Sequence, residues 1–407
     1  MSRRSGRDGQ AGEGVSWRDD RVWQAGFLLG SALGAVATVI GRRAERVARR
    51  GLVDWPEVER IAVGRLGRAP GALDPAELRA TEPLYHDAMA RIVPALTKAL
   101  GTPLPGVVER SAVVDRAGWV RANVGSFASL IGKLEADLLD QVIPPGGGMA
   151  KAAMALANRW VTNRQLGFLL GFMGTRVLGQ YDLALLSMEA TQGRLLFVEE
   201  NVRATARALA VPVGPFRTWI ALHETTHAFE FEAHPWLRPY LAERLERQLT
   251  LFASDARGIG RDAARGIARA LRGEGGGEHW IERLMGPEQQ TLFRETQAVM
   301  SLLEGFSDYV MDEVGRDLVP DVERISARFH ERRTNRTTFE RAVLRLTGMD
   351  LKLEQYKKGE RFVRAIADLR GPAALARLWD GPETLPRAAE IDAPDRWVAR
   401  VLDGTPA

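Results

Sequence analysis

His223-Glu224-Thr225-Thr226-His227 sits inside the run Pro215-Phe216-Arg217-Thr218-Trp219-Ile220-Ala221-Leu222, and the reading of that stretch decides the fold. Pro215 suits a first helical turn, Gly214 before it allows a tight entry, and Pro235 closes the segment. Trp219, Leu222, Thr226 and Phe229 recur at three- and four-residue steps, which gives a helix over Pro215–Phe231 an apolar face for a core. On such a helix two imidazoles four residues apart share one face, one turn apart. Each can then offer a nitrogen to one Zn²⁺ at about 2.0–2.1 Å. Glu224 falls beside that face, placed to take a proton from water rather than to bind the metal. The competing reading is a pair of core histidines bonded to backbone. It is the weaker one, because only six histidines occur in 407 residues and two of them stand here at ligand spacing.

A zinc site needs a third protein ligand, and a catalytic one keeps its fourth position open. His234, seven residues after His227, is one candidate. It misses the H-E-x-x-H-x-x-G-x-x-H spacing by one residue, and Glu230 stands where that pattern has glycine. Glu304 is the stronger candidate. Thr296–Val314 reads as a second helix, with Val299, Leu302, Leu303, Phe306, Val310 and Met311 as its apolar positions. Glu304 and Asp308 lie four apart on one face of it, and a carboxylate among such neighbours is costly without a cation or donor. The expected division of labour puts Glu304 on the metal and Asp308 on the free ring N–H of a ligand histidine, fixing its tautomer. An exposed Glu-Asp stripe on a surface helix is the plain alternative.

H-E-x-x-H followed by a downstream E-x-x-S-D on a second helix resembles the gluzincin arrangement of thermolysin-type metallopeptidases. The chain is more closely similar to a zincin-like family, mostly actinobacterial, whose members are named as hydrolases or associated with deazaflavin-coenzyme biosynthesis. The phrases that carry the resemblance are Leu52-Val53-Asp54-Trp55, Phe216-Arg217-Thr218-Trp219-Ile220-Ala221-Leu222-His223-Glu224, Leu303-Glu304-Gly305-Phe306-Ser307-Asp308-Tyr309-Val310-Met311-Asp312 and Gly359-Glu360-Arg361-Phe362-Val363. The likeness runs from about Leu52 to Val401. It implies a mainly α, zincin-like metallopeptidase fold (α+β) with a small sheet beside the H-E-x-x-H helix and many surrounding helices. It also implies His223, His227 and Glu304 on zinc and Glu224 as the catalytic carboxylate. Members of the family often carry histidine after the Glu-Gly pair, where this chain has Phe306. If that histidine serves the oxyanion, this chain needs another donor.

The bulk composition narrows the function classes. The formal charge is +4 with a pI near 9.5, and only six of the 56 basic residues are lysine. The arginines are spread along helical patterns beside Glu and Asp, as in Ala242-Glu243-Arg244-Leu245-Glu246-Arg247, which describes an ion-paired, solvated surface. No concentrated basic stripe with interleaved aromatics is present, so a nucleic-acid partner is not expected. With no cysteine, disulfides and thiol catalysis are excluded, and any metal must be held by His and carboxylates.

Residues 1–50 read as a polar tail followed by an apolar, Gly-rich helix. Val22–Gly41 carries no charge for twenty residues and is followed by Arg42, Arg43, Arg46, Arg49 and Arg50. The favoured reading is a helix packed on a cytoplasmic protein. The alternative is a membrane contact through 22–41 that holds the catalytic part in the cytoplasm. Residues 51–402 read as the catalytic domain, with a helical lobe over about 51–148 and a metal-site core over about 149–402. The division falls at Pro144-Pro145-Gly146-Gly147-Gly148. Lys151–Leu178 reads as one long apolar helix whose Gly167, Gly171 and Gly174 signal close helix contact. Arg194-Leu195-Leu196-Phe197-Val198 is the strand candidate, expected at the cleft edge. Between the ligand helices, 236–295 reads as a helical insert broken by Gly273-Glu274-Gly275-Gly276-Gly277.

The expected activity is zinc-dependent hydrolysis of an amide bond in a peptide or protein substrate, with one Zn²⁺ per chain and Glu224 as general base and then acid. Tyr309, Tyr240 and His279 are the candidate oxyanion donors. The rival is a non-catalytic zinc protein, a peptide- or partner-binding scaffold, in which His234 would fill the fourth metal position. Nothing in the sequence speaks to the oligomeric state.

Overall fold

The computed structural model describes residues 53–142, 149–181, 194–248, 250–251, 285–334 and 351–404. Val22–Gly41, the glycine run 273–277 and His279-Trp280 lie outside them. Among the described residues no helix is long and apolar enough to cross a membrane. The elements are α1 (Trp55–Leu66), α2 (Pro75–Arg79), α3 (Glu82–Leu100), β1 (Ser111–Val114), α4 (Arg116–Val142), α5 (Met149–Gly174), β2 (Gly179–Tyr181), β3 (Leu195–Val198), α6 (Glu199–Leu209), α7 (Val213–Glu232), α8 (Pro287–Leu318), α9 (Val322–Thr334) and α10 (Leu351–Arg370). Short helical turns follow from Pro372 to Leu402. The molecule is therefore mainly α with a three-stranded sheet, as expected.

The sheet order is β1-β3-β2. β1 runs parallel to β3 with Ser111 opposite Leu195, and β2 runs antiparallel with Tyr181 opposite Leu195. The expected strand exists but is central. The cleft edge assigned to it belongs to β2, a three-residue strand too short to leave a period in the sequence. All four β3 residues are buried, and they point alternately into two hydrophobic clusters. Leu195 and Phe197 enter the large core built by α3, α7, α8 and α10, whereas Leu196 and Val198 enter a smaller one with α1, α4 and α5. A strand covered on both faces reads as an unbroken apolar run, here Leu195-Leu196-Phe197-Val198.

The smaller cluster joins α1 and α4 with α5, so residues on both sides of the expected 148/149 division share it. α1 starts at the Asp54 cap, whose side chain accepts from the Glu57 amide at 3.3 Å. Asp54 is itself held by α5, through Asn163 at 2.9 Å and Arg159 at 2.7 Å. Gly167, Gly171 and Gly174 face α1, and a Cβ on Gly167 would stand 2.6 Å from Ile61 Cγ2. The close contact expected from those glycines is thus present, although α5 ends at Gly174 and the chain turns into β2.

The two helices that matter for the site lie in the large core. In α7, Trp219, Leu222, Thr226 and Phe229 are all buried, as their spacing requires. Its first turns are pinned by an ion pair between Arg217 and Glu199, the latter fully buried on α6. Tyr85 of α3 donates to the same carboxylate at 2.9 Å. Burial and Glu199 together hold the Tyr85 hydroxyl well above its usual range, so it remains a donor. α8 begins at Pro287, nine residues before the expected Thr296. Its early turns carry buried Gln289 and Leu292, which extend the apolar stripe backwards, so 287–295 belongs to the ligand helix and not to an insert.

Candidate metal centre

α7 and α8 cross with their polar inward positions facing each other. His223 Nε2 and His227 Nε2 lie 3.2 Å apart, and Glu304 Oε2 of α8 stands 3.8 Å from the first and 3.7 Å from the second. Four tetrahedral zinc ligands at about 2.0–2.1 Å from the metal have edges of about 3.3 Å. Two imidazole nitrogens and a carboxylate oxygen at these separations fit three ligands of one zinc ion. The exposed stripe considered for residues 304 and 308 does not occur, since both side chains are buried.

His227 is oriented by its own helix and by α8. His227 Nδ1 meets Glu230 Oε2 at 2.8 Å and Ser307 Oγ at 3.2 Å. Ser307 in turn donates to Glu230 Oε1 at 3.3 Å. On His227 the orienting bond is made by Glu230 from the same helix, three residues on. Glu230 is the residue that displaces glycine from the longer motif, and a charge at that position of a buried helix was the signal that could have found it. Met311 Sδ lies 3.1 Å from His223 Nδ1, a weak acceptor on which that N–H can rest. Both rings thus turn Nε2 inward. Burial opposes charge on His227, but Glu230, Glu304 and Glu224 outweigh it and raise its pKa well above the usual range. Glu230 is raised as well, by burial first, against the opposing effect of His227. Glu224, Glu230 and Glu304 around the two imidazoles give the site a negative surplus that a divalent cation would balance.

Glu224 is held by the edge strand. The Tyr181 amide donates to Glu224 Oε2 at 3.0 Å. A Cβ on Gly179 would come within 2.6 Å of Glu224 Cγ and 2.9 Å of Oε1, so glycine is what lets β2 lie against this carboxylate. Tyr181 then anchors the strand beyond it: its hydroxyl donates to Glu232 Oε1 at 3.0 Å and its ring stacks on Phe231. Arg110 grips the same Glu232 carboxylate at 2.7 Å through both oxygens.

The remaining candidates fall elsewhere. α7 ends at Glu232, so His234 does not continue its ligand face. The His234 ring donates from Nδ1 to the Glu230 carbonyl at 2.9 Å and stacks on Trp379 at 4.8 Å, with Phe229 on its edge. Among the described residues His234 is not grouped with His223, His227 and Glu304. Phe306 lies in the same aromatic group, 5.0 Å from Trp379 and 6.5 Å from Phe229. Its position faces the core, where an aromatic ring is accommodated by packing. Tyr240 lies under Arg244 at 3.8 Å and beside Trp236, while Tyr309 faces Arg364 of α10. Tyr309 is about 140° around the helix from Glu304, so it points away from the ligand face. His279 lies outside the described residues. Asp308 takes part in a second grouping with His330 and Glu360.

Comparison with known proteins agrees with this architecture. A family described as zincin-like metallopeptidase matches residues 53–398. A crystal structure from Chloroflexus aurantiacus, described as a "putative hydrolase with a novel fold", is similar at 35% identity and a TM-score of 0.64. The match covers 86% of this chain and 99% of that one. No curated protein matches.

Proposed function

This chain belongs to the zincin-like metallopeptidase family, and from that premise we propose that it is a zinc-dependent hydrolase that cleaves peptide bonds. The observation that carries the reading is the approach of His223 Nε2, His227 Nε2 and Glu304 Oε2 from two helices to within 3.8 Å of one another. Zinc bound there would polarise the scissile carbonyl and lower the pKa of a water towards about 7. The protein's part is to hold that geometry and to move the proton. With Oε2 engaged by the Tyr181 amide, Glu224 Oε1 is the oxygen assigned to take the proton from the attacking water. The same oxygen then delivers it to the leaving nitrogen. The Glu230–Ser307 pair keeps His227 in the tautomer that presents Nε2.

A peptide substrate is supported by the place of β2. Among the described residues it is the sheet edge beside Glu224, where an extended chain can add through backbone groups other than the Tyr181 N–H that Glu224 already holds. The test is Glu224→Gln, which keeps size and polarity but removes the base. The variant should retain zinc by elemental analysis and lose about 10²–10⁴-fold in turnover against a diverse peptide library. Wild-type turnover in a zinc-loaded variant would refute the assigned role.

A further inference from the structure

Beyond the zinc triad, three side chains from three helices meet at a second point. Asp308 of α8, His330 of α9 and Glu360 of α10 each offer one ligand atom, all within 4.8 Å of one another. Asp308 is buried at 6% exposure, so its carboxylate has already given up most of its water. His330 Nδ1 lies 2.8 Å from the carbonyl of Ser326, one turn earlier on α9. That N–H therefore donates to backbone, and the lone pair resides on Nε2, as in a histidine prepared for a metal. Glu360 Oε1 is steadied by Arg364 at 3.3 Å, which is itself tied to Asp312 at 2.6 Å.

The backbone explains why these groups can meet. Gly305 of α8 and Gly359 of α10 touch so closely that a Cβ on either would fall inside the backbone of the other helix. That crossing sets Glu360, the residue after Gly359, against the turn of α8 that carries Asp308. Along α8, Asp308 is one turn beyond Glu304, about 6 Å further down the axis. The two groupings share no residue.

We propose that Asp308, His330 and Glu360 form a second divalent-cation site, whose ion braces α9 and α10 against the helix that supplies Glu304. Two carboxylate oxygens and one imidazole nitrogen suit a first-row divalent cation, and zinc is the probe of choice. Such an ion joins residues far apart in sequence, so it stabilises the folded chain by binding it and not the unfolded one. The site goes beyond the proposed reaction and does not depend on it.

The full chain, stripped by chelation and titrated with Zn²⁺ alone, is compared with His330→Ala, Glu360→Gln and His223→Ala by elemental analysis and thermal melting. The wild type should bind one equivalent more than either second-site variant, and its melting temperature should rise further on zinc addition. Glu360→Gln is nearly isosteric, so it reads the site even if His330→Ala fails to fold. His223→Ala should lose a different equivalent and keep the second-site rise. Equal stoichiometry and equal zinc-induced shifts in wild type and Glu360→Gln would overturn the second site. Equal stoichiometry in wild type and His223→Ala would instead count against the triad, leaving the second site standing, so the two failures are distinguishable.

Discussion

Among the described residues, two helix crossings rest on glycine, and they differ in what meets at the contact. Where α5 crosses α1, Gly167, Gly171 and Gly174 receive the side chains of Ile61, Arg65 and Leu66. Where α10 crosses α8, Gly359 meets the backbone of Ser301 and Gly305 meets the backbone of Gly359 and Glu360. The first is a fit of knobs against a smooth face, and the knobs at Gly171 and Gly174, the Arg65 Cδ and the Leu66 methyls, can change rotamer. The second has no side chain between the helices, so nothing can yield except the helices themselves. That difference follows their tasks: the first crossing packs the small cluster, whereas the second lies between Glu304 and the Asp308–His330–Glu360 grouping.

Alanine substitutions separate these cases. Gly359→Ala should show the largest effect, a loss of more than about 4 kcal/mol of stability or failure to fold, because two helices must part. Denaturant unfolding reads it, and a loss below about 1 kcal/mol would erase the distinction between the crossings. Gly179→Ala comes next and acts on activity. Its Cβ would press Glu224 out of place, and a displacement of about 1 Å at a catalytic group costs about 10²-fold. Turnover should fall while zinc content and melting temperature stay near wild type; a fully active variant would show that Glu224 tolerates the shift. Gly174→Ala should be mildest, about 1–3 kcal/mol, because the Leu66 methyls that its Cβ would meet at 3.1 and 3.3 Å can re-pack. If it proved as damaging as Gly359→Ala, side-chain contact would be no softer than backbone contact here.

Much of the centre could be read from spacing alone. His223 and His227 declare themselves because a four-residue step on an apolar helix has one geometric meaning. Glu304 does so because a lone carboxylate between Leu303 and Phe306 needs a partner. These are signals within a single helix. Contacts that depend on how helices cross were not legible in the same way. Asp308 shows the face of Glu304 in any periodic reading, but that Ser307 reaches His227 is set by the crossing of α7 and α8, whereas Glu230 meets that ring from three residues on in the same helix. β2 was missed for a different reason. Gly179-Gln180-Tyr181 has neither length nor β-branched residues, and it is a strand only because β3 offers it a partner and Glu224 an acceptor. The apolar run of β3 could be recognised as a strand, but its central place could not, because that depends on β1 and β2.

The alternation along β3 has a consequence for how the protein comes apart. Leu195 and Phe197 answer to one interior and Leu196 and Val198 to the other, so this short strand is a common wall. Melting the α1–α4–α5 side would leave the back of that wall wet, and the loss would pass through it to β2 and the carboxylate it steadies. Heat should therefore find a single cooperative block here, with no detachable lobe that can be shed while the rest stays at work.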